Sequence, residues 1–252
     1  MSAEDAPEET LISHLVELRA RLLRAVVAVL VVFLALLPFA QRLYTEFAEP
    51  LLRALPKGAQ IIAIDVASPF FAPIKLAFVV AILIAMPAVI YQAWAFVAPG
   101  LYRHEQRLAR PLLFSAAILF YAGCAFAWYL VLPTVFKFLT AVTPDGVAMM
   151  TDISRYLDFV LVIFLAFGFC FEVPVAVVIL VLLGWVDVAQ LREARGYVIV
   201  GAFVIAAILT PPDVVSQLML AVPMCLLYEA GIFTARWLPR QTRSADQASG
   251  AG

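Results

Sequence analysis

Residues 159–183 read FVLVIFLAFGFCFEVPVAVVILVLL, a run that is apolar throughout apart from one interior acid, Glu172. At about 1.5 Å of rise per residue, a helix of this length crosses a hydrocarbon core of roughly 30 Å with some tilt to spare. Glu172 falls near its middle, where a charged side chain costs about 2.5–3.5 kcal/mol on insertion scales. The acid must therefore be neutral, paired or in contact with water. Pro174 cannot donate to the carbonyl of Cys170, so the helix bends there. One central helix carries both a kink and a buried acid, and the other apolar segments read as a wall around it.

Composition agrees. Mean hydropathy is +1.00, and 65% of residues are hydrophobic against 14% charged, as in multi-span membrane proteins. A net charge of −1 leaves no basic footprint for nucleic acid. Cys124, Cys170 and Cys225 all lie inside apolar runs and read as small buried hydrophobes, with no disulfide framework or metal site. The first residues, MSAEDAPEETL, are acidic and unlike a cleavable signal peptide, so the chain is expected to keep them.

From the N-terminus, Thr10–Arg24 reads as a short amphipathic helix, with Leu11, Leu15, Leu18 and Leu22 on one stripe and His14, Glu17 and Arg21 offset from it. Spans are expected at about 22–40, 74–97, 111–138, 159–183, 196–210 and 214–235. The second contains Pro87 and the third is broken by Pro133. Gln41–Pro73, interrupted by Pro50, Pro56 and Pro69, reads as a long loop, and Pro144-Asp145-Gly146 as a turn. Two 15-residue apolar cores, Gly196–Thr210 and Val214–Tyr228, flank Pro211-Pro212-Asp213 and give about 22 Å of helix each, short of the bilayer. The expectation is one all-α polytopic domain over 1–236, with six transmembrane helices. Several are proline-kinked, the last two are short, and a cytoplasmic amphipathic helix precedes them. The Ser/Gln/Gly-rich tail, 237–252, reads as disordered.

Six spans put both termini on one side. That side collects Arg19, Arg21, Arg24, Arg103, Arg107, Arg110, Arg192, Arg195, Arg236, Arg240 and Arg243; the other holds Arg42, Arg53, Lys57, Lys75, Lys137 and Arg155. The positive-inside rule then places both termini in the cytoplasm. Trp94, Tyr102, Tyr129, Trp185, Tyr197 and Trp237 fall near the expected interfaces, as an aromatic belt does.

Chemistry-bearing motifs are sparse. His14 and His104 are the two histidines, and no HExxH, GxSxG or Gly-rich phosphate loop occurs. The chain thus reads as a non-enzyme needing no cofactor or metal. Two cytoplasmic acids lie among bases: Glu17 beside Arg19 and Arg21, and Glu105 beside Arg103, His104 and Arg107. Local ion pairing, Glu17 with Arg21 at i,i+4, accounts for the pattern at a few tenths of a kcal/mol. Acceptance of a forked guanidinium from an outside ligand is the sharper alternative. Pattern alone favours the first.

The motifs go further. His14-Leu15-Val16-Glu17-Leu18-Arg19 resembles the HLxELR signature of the TatC family, the multi-span core of the twin-arginine protein translocase. Asp65–Phe71 (DVASPFF), Tyr91–Leu101 (YQAWAFVAPGL), Phe171–Pro174 (FEVP) and Leu209–Asp213 (LTPPD) resemble further family motifs and follow in family order. Gln106 departs from the pattern, which carries a basic residue beside Glu105.

The resemblance implies a receptor in the bacterial cytoplasmic membrane with both termini inside. It binds twin-arginine signal peptides and, with single-span TatA- and TatB-type partners, exports folded proteins using the proton-motive force. It implies Glu17 and Glu105 as arginine acceptors, Arg19 and Phe96 shaping the site, partner docking near Thr210 and Gln217, functional sensitivity at Pro50 and Pro87, and self-association in a receptor complex. Glu172 and Asp213 are the remaining polar positions. They would form the relay of a second reading, a proton-coupled secondary transporter, although the chain has no internal repeat. A scaffold for other membrane subunits is a third.

Overall fold

The computed structural model describes residues 6–54, 61–97, 106–143, 151–210 and 214–237. Almost all of this is helix. After Pro7, no Gly or Pro occurs until Pro38, so the expected amphipathic helix and first span fuse into one helix, α1 (Ala6–Leu36). Its leucine stripe turns away from the bundle: Leu15, Leu18 and Leu22 are exposed, while Glu17, Arg21 and Ala25 face inward. The inversion is physical, since the outside of a membrane bundle is apolar and polar side chains gather on the protein side.

A 3₁₀ turn at Leu37–Phe39 holds Pro38, and α2 (Ala40–Ala54) follows. This corrects the expected loop over Gln41–Pro73. Leu43, Tyr44, Phe47 and Ala48 share one face and pack inward, with Phe47 ring to ring on Trp128 at 5.1 Å and on Phe164 at 5.8 Å. Pro50 lies within α2, so it does not end the helix.

α3 (Ser68–Val97) starts earlier than expected and keeps Pro73 and Pro87 inside it. Pro87 has no N–H for the carbonyl of Leu83. The hydroxyl of Tyr121 donates to that oxygen from the next helix at 3.0 Å. α4 (Gln106–Phe126), a π-helical turn (Ala127–Val131) and α5 (Leu132–Val142) form the third crossing. The π turn widens the backbone just where Pro133 cannot donate to Tyr129 and would crowd it, which is the expected break.

α6 (Ile153–Cys170) and α7 (Val173–Leu182) are the two halves of the central run, separated at Phe171-Glu172 as Pro174 predicts. α7 ends in a Schellman motif: Gly184 takes φ 67°, its N–H reaches the Val181 carbonyl, and Trp185 N–H reaches that of Leu180. α8 (Val188–Glu193) starts with a capping box between Asp187 and Gln190. α9 (Arg195–Leu209) has 15 residues and α10 (Val214–Ala235) has 22. Only α9 is therefore short: α10 runs through Pro223 to about 33 Å, enough to cross.

The main core centres on α6, with Phe120, Val131, Val135, Val160, Ile163, Phe167 and Leu220 fully buried. α4 and α6 approach closely through glycines: a Cβ on Gly123 would lie 2.4 Å from the Phe167 carbonyl oxygen, and one on Gly168 2.6 Å from the Phe120 ring. A second cluster joins Trp94 of α3, Val177 and Leu182 of α7, Leu191 of α8, and Tyr228 and Ile232 of α10. Here the Tyr228 hydroxyl donates to the Leu191 carbonyl at 2.8 Å, and Arg195 pairs with Glu229 at 2.7 Å. At the opposite end of α3, a two-residue parallel strand pair joins Ile61–Ile62 to Thr151–Asp152. Buried Asp152 caps α6 through Arg155 N–H and accepts from Ile64 N–H.

Candidate functional site

The N-terminal half of α1 lies along the end of α3. His14 stacks on Phe96 with ring centroids 4.3 Å apart and planes 26° from parallel. Glu17 follows at i+3 and Arg21 at i+7 on the same face, so one strip of α1 carries an imidazole, a carboxylate and a guanidinium past the last turn of α3. Phe96 is two residues from buried Trp94, which anchors this end of α3 in the second core cluster. The aromatic wall of the strip is thus fixed from beneath.

Glu17 and Arg21 form the i,i+4 pair of the local reading. Arg21 Nε donates to Glu17 Oε1 at 2.9 Å, and a terminal guanidinium nitrogen donates to the same oxygen at 2.5 Å. Both contacts use one carboxylate oxygen, so this pair leaves Oε2 out. Arg21 is 20% exposed and Glu17 37%, which places the carboxylate half in reach of solvent. Arg19 is exposed, and two residues along the helix turn it about 200° from Glu17. The structure brings His14, one helical turn before Glu17, onto Phe96 and turns Arg19 to another face. Glu105 lies outside the described residues, one position before α4. His14 and Arg21 were visible in the sequence as a motif residue and an ion-pair partner. What the sequence could not show is the ring of Phe96, 82 positions away, lying on His14.

The other expected positions are elsewhere. Thr210 is buried, and its hydroxyl donates back to the Ala206 carbonyl at 2.8 Å. Gln217 is half-buried and its Nε2 donates to the Phe203 carbonyl at 3.2 Å, tying α10 to α9. Asp213 lies outside the described residues, so its relay with Glu172 has no geometry here. Glu172 sits at the α6–α7 break, half-buried, with Oε1 unpartnered among the described residues. Pro87 serves the α3–α4 contact through Leu83 and Tyr121.

Known proteins resemble this chain over most of its length. Residues 13–223 match the family model for TatC, the Sec-independent protein translocase protein. The Sec-independent protein translocase protein TatC of Azotobacter chroococcum is 57% identical over 92% of this chain and 90% of its own length. That of Escherichia coli K12 is 50% identical over 98% of this chain and 95% of its own. A crystal structure of the twin arginine translocase receptor TatC superposes with a TM-score of 0.80 at 37% identity, covering 88% of this chain and 98% of that one. A second, determined in the detergent DDM, gives 0.81 at 38%. A polytopic helical bundle, the HLVELR strip packed on the end of α3 and these matches lead to one assignment: the chain belongs to the TatC family of Sec-independent protein translocase proteins.

Proposed function

We propose that this chain is the signal-peptide receptor of a twin-arginine translocase. In this reading Glu17 and Glu105 accept the paired guanidiniums of the peptide, with Phe96 and His14 walling the site and Arg19 at its margin. The single observation that carries it is Glu17. Its carboxylate already holds a guanidinium, stays half-exposed, and engages Arg21 through one oxygen only. A planar, forked donor suits such an acceptor, whereas lysine has no fork. Both termini face the cytoplasm in this reading. The excess of arginine at the Phe96 end, where Arg19, Arg21, Arg24, Arg192 and Arg195 gather, supports it. Residues 1–236 form one domain, and TatA- and TatB-type single-span partners dock along the α9–α10 edge, powered export depending on the proton-motive force. Of the two expected docking residues, Gln217 keeps part of its surface and Thr210 does not, so Gln217 is the one that touches a partner.

The test is binding of a twin-arginine signal peptide to the purified protein, with a twin-lysine peptide as control. Glu17→Gln and Glu105→Gln should each weaken the arginine peptide by about 1.5–3 kcal/mol, roughly ten- to a hundred-fold, and leave the fold intact. Unchanged affinity in a folded Glu17→Gln protein would reduce Glu17 to a solvated ion pair with Arg21 and sink the assignment.

A further inference from the structure

The end of α3 remote from Phe96 carries a feature that peptide recognition does not use. Lys75 and Phe96 are 21 residues apart on one helix, so about 31 Å separates them. Here a cavity of about 560 Å³ lies between α1, α3 and α6, walled by Phe33, Phe71, Ile74 and Phe78. Phe33 and Phe78 meet edge to face at 5.5 Å, and Phe71 and Phe78 remain substantially exposed, so the wall opens outward. Three described lining residues are polar: Lys75, Asp158 and Ser154. Ser154 is bonded to Ser68 at 2.9 Å, and Lys75 Nζ donates to the Asp158 carboxylate. Yet Lys75 keeps 54% and Asp158 50% of its side-chain surface.

Depth gives this pair its meaning. Lys75 stands seven residues into α3 and Asp158 five into α6, about 10 and 8 Å inside the helix ends. A 30-residue α3 is about 45 Å long, so centred on a hydrocarbon core of roughly 30 Å it carries this level where headgroups give way to acyl chains. A half-solvated cation and anion stand there side by side above an aromatic slot. Neither a lipid tail nor a transmembrane helix, whose backbone is already satisfied, supplies the charges that would complete them.

We propose that this cleft binds one phospholipid bearing a phosphoethanolamine headgroup. Its phosphate rests on Lys75, its primary ammonium on Asp158, and its acyl chain lies along Phe33 and Phe78. The choice follows from charge. A phosphoglycerol head satisfies Lys75 but offers Asp158 only neutral hydroxyls, and leaves the carboxylate's charge beside the phosphate unmatched. A phosphocholine head carries both charges, but its quaternary ammonium has no N–H to donate. The phosphoethanolamine head alone brings both a phosphate for Lys75 and a charged N–H donor for Asp158.

The experiment presents the purified full chain with equal amounts of phosphatidylethanolamine, phosphatidylcholine and phosphatidylglycerol, and reads the retained lipid by native mass spectrometry. Phosphatidylethanolamine should exceed each of the others by roughly five-fold, the equivalent of one net hydrogen bond of about 1 kcal/mol. Asp158→Asn, nearly isosteric, should erase the preference over phosphatidylcholine, and Lys75→Ala should lower retention of all three. Twin-arginine peptide binding in Asp158→Asn checks folding at the far end. Should that variant not fold, the ranking of the three lipids on the unaltered protein decides alone. Equal retention, a preference for phosphatidylglycerol, or an Asp158→Asn protein that still discriminates would overturn the proposal. So would an Ile74→Cys probe that cross-links to a second protein chain and displaces the lipid.

Discussion

Pro87 and Tyr121 show how a membrane helix tolerates a missing donor. In water, the orphaned Leu83 carbonyl would take a solvent hydrogen bond, but in the bilayer a neighbouring side chain must supply it. Tyr121 does so at 3.0 Å. Removing that hydroxyl by Tyr121→Phe should cost about 1 kcal/mol of unfolding free energy in detergent. In a Pro87→Ala background the restored N–H at position 87 satisfies Leu83, so the same change should cost little there. Equal costs in both backgrounds would mean that the hydroxyl matters for packing and not for this carbonyl. Glu172 invites a related test. Its Oε1 has no partner among the described residues, beside the break made by Pro174. Glu172→Gln should preserve folding and most export, because the amide keeps an acceptor, whereas Glu172→Lys should lose both. Loss of export in a Gln variant present at normal membrane levels would show that ionisation is required. At this scale chemistry alone marks Glu172, while Glu17 and Pro87 stand out as site positions only through the family resemblance. The sequence left Tyr121 and the Phe96–His14 stack unseen, since nothing local encodes a partner tens of residues away.

At the scale of elements, breaks were legible and continuities were not. Pro133 and Pro174 announced the π turn and the α6–α7 joint, because a proline's missing N–H is a local fact. The fusion of the N-terminal helix with the first span is not legible in the sequence, because an amphipathic stretch followed by an apolar one reads as two elements. The two share one continuous helix whose leucines, Leu15 and Leu22 among them, point out towards lipid. α2 was missed because Pro50 and the polar residues Arg42, Glu46 and Glu49 looked like a loop, although Leu43, Tyr44 and Phe47 hold helical spacing. The α4–α6 contact is the element whose tolerance is lowest. Gly123→Ala would push a methyl against the Phe167 carbonyl oxygen, a backbone atom, and should destabilise by about 1–3 kcal/mol. Gly168→Ala meets the Phe120 ring instead, which has a fully buried side chain and little room to rotate. Thermal unfolding in detergent checks both. A Gly201→Ala control, where an added Cβ meets nothing within 4 Å, should leave the midpoint unchanged or raise it.

Across the whole molecule, the crossings are unequal in length. Among the described residues, five helical stretches are long and apolar enough to cross a membrane, and α9, with 15 residues, is a shorter apolar one. About 22 Å of helix against roughly 30 Å of hydrocarbon leaves some 8 Å unmatched, at a fraction of a kcal/mol per Å. The strain is confined to one edge, because α10 runs its full 22 residues beside it. α9 buries Ala202 and Ala206 and turns Val200, Val204 and Ile208 outward, so its outer face is apolar and unshielded by the described helices. A short apolar helix in a thick bilayer is relieved by local thinning or by recruiting another helix. Single-span partners should therefore be captured at this edge more strongly as the bilayer thickens. Gln217→Cys, reconstituted with a partner in lipids of short, medium and long acyl chains, should cross-link in rising yield along that series. Ile84→Cys, exposed on α3 away from this edge, should stay low in all three. Adding four apolar residues to α9 supplies about 6 Å and should flatten the rise. A yield at position 217 that ignores bilayer thickness, or a lengthened α9 that behaves as the original, would leave the short crossing as a matter of packing and place the docking force in specific side-chain contacts instead.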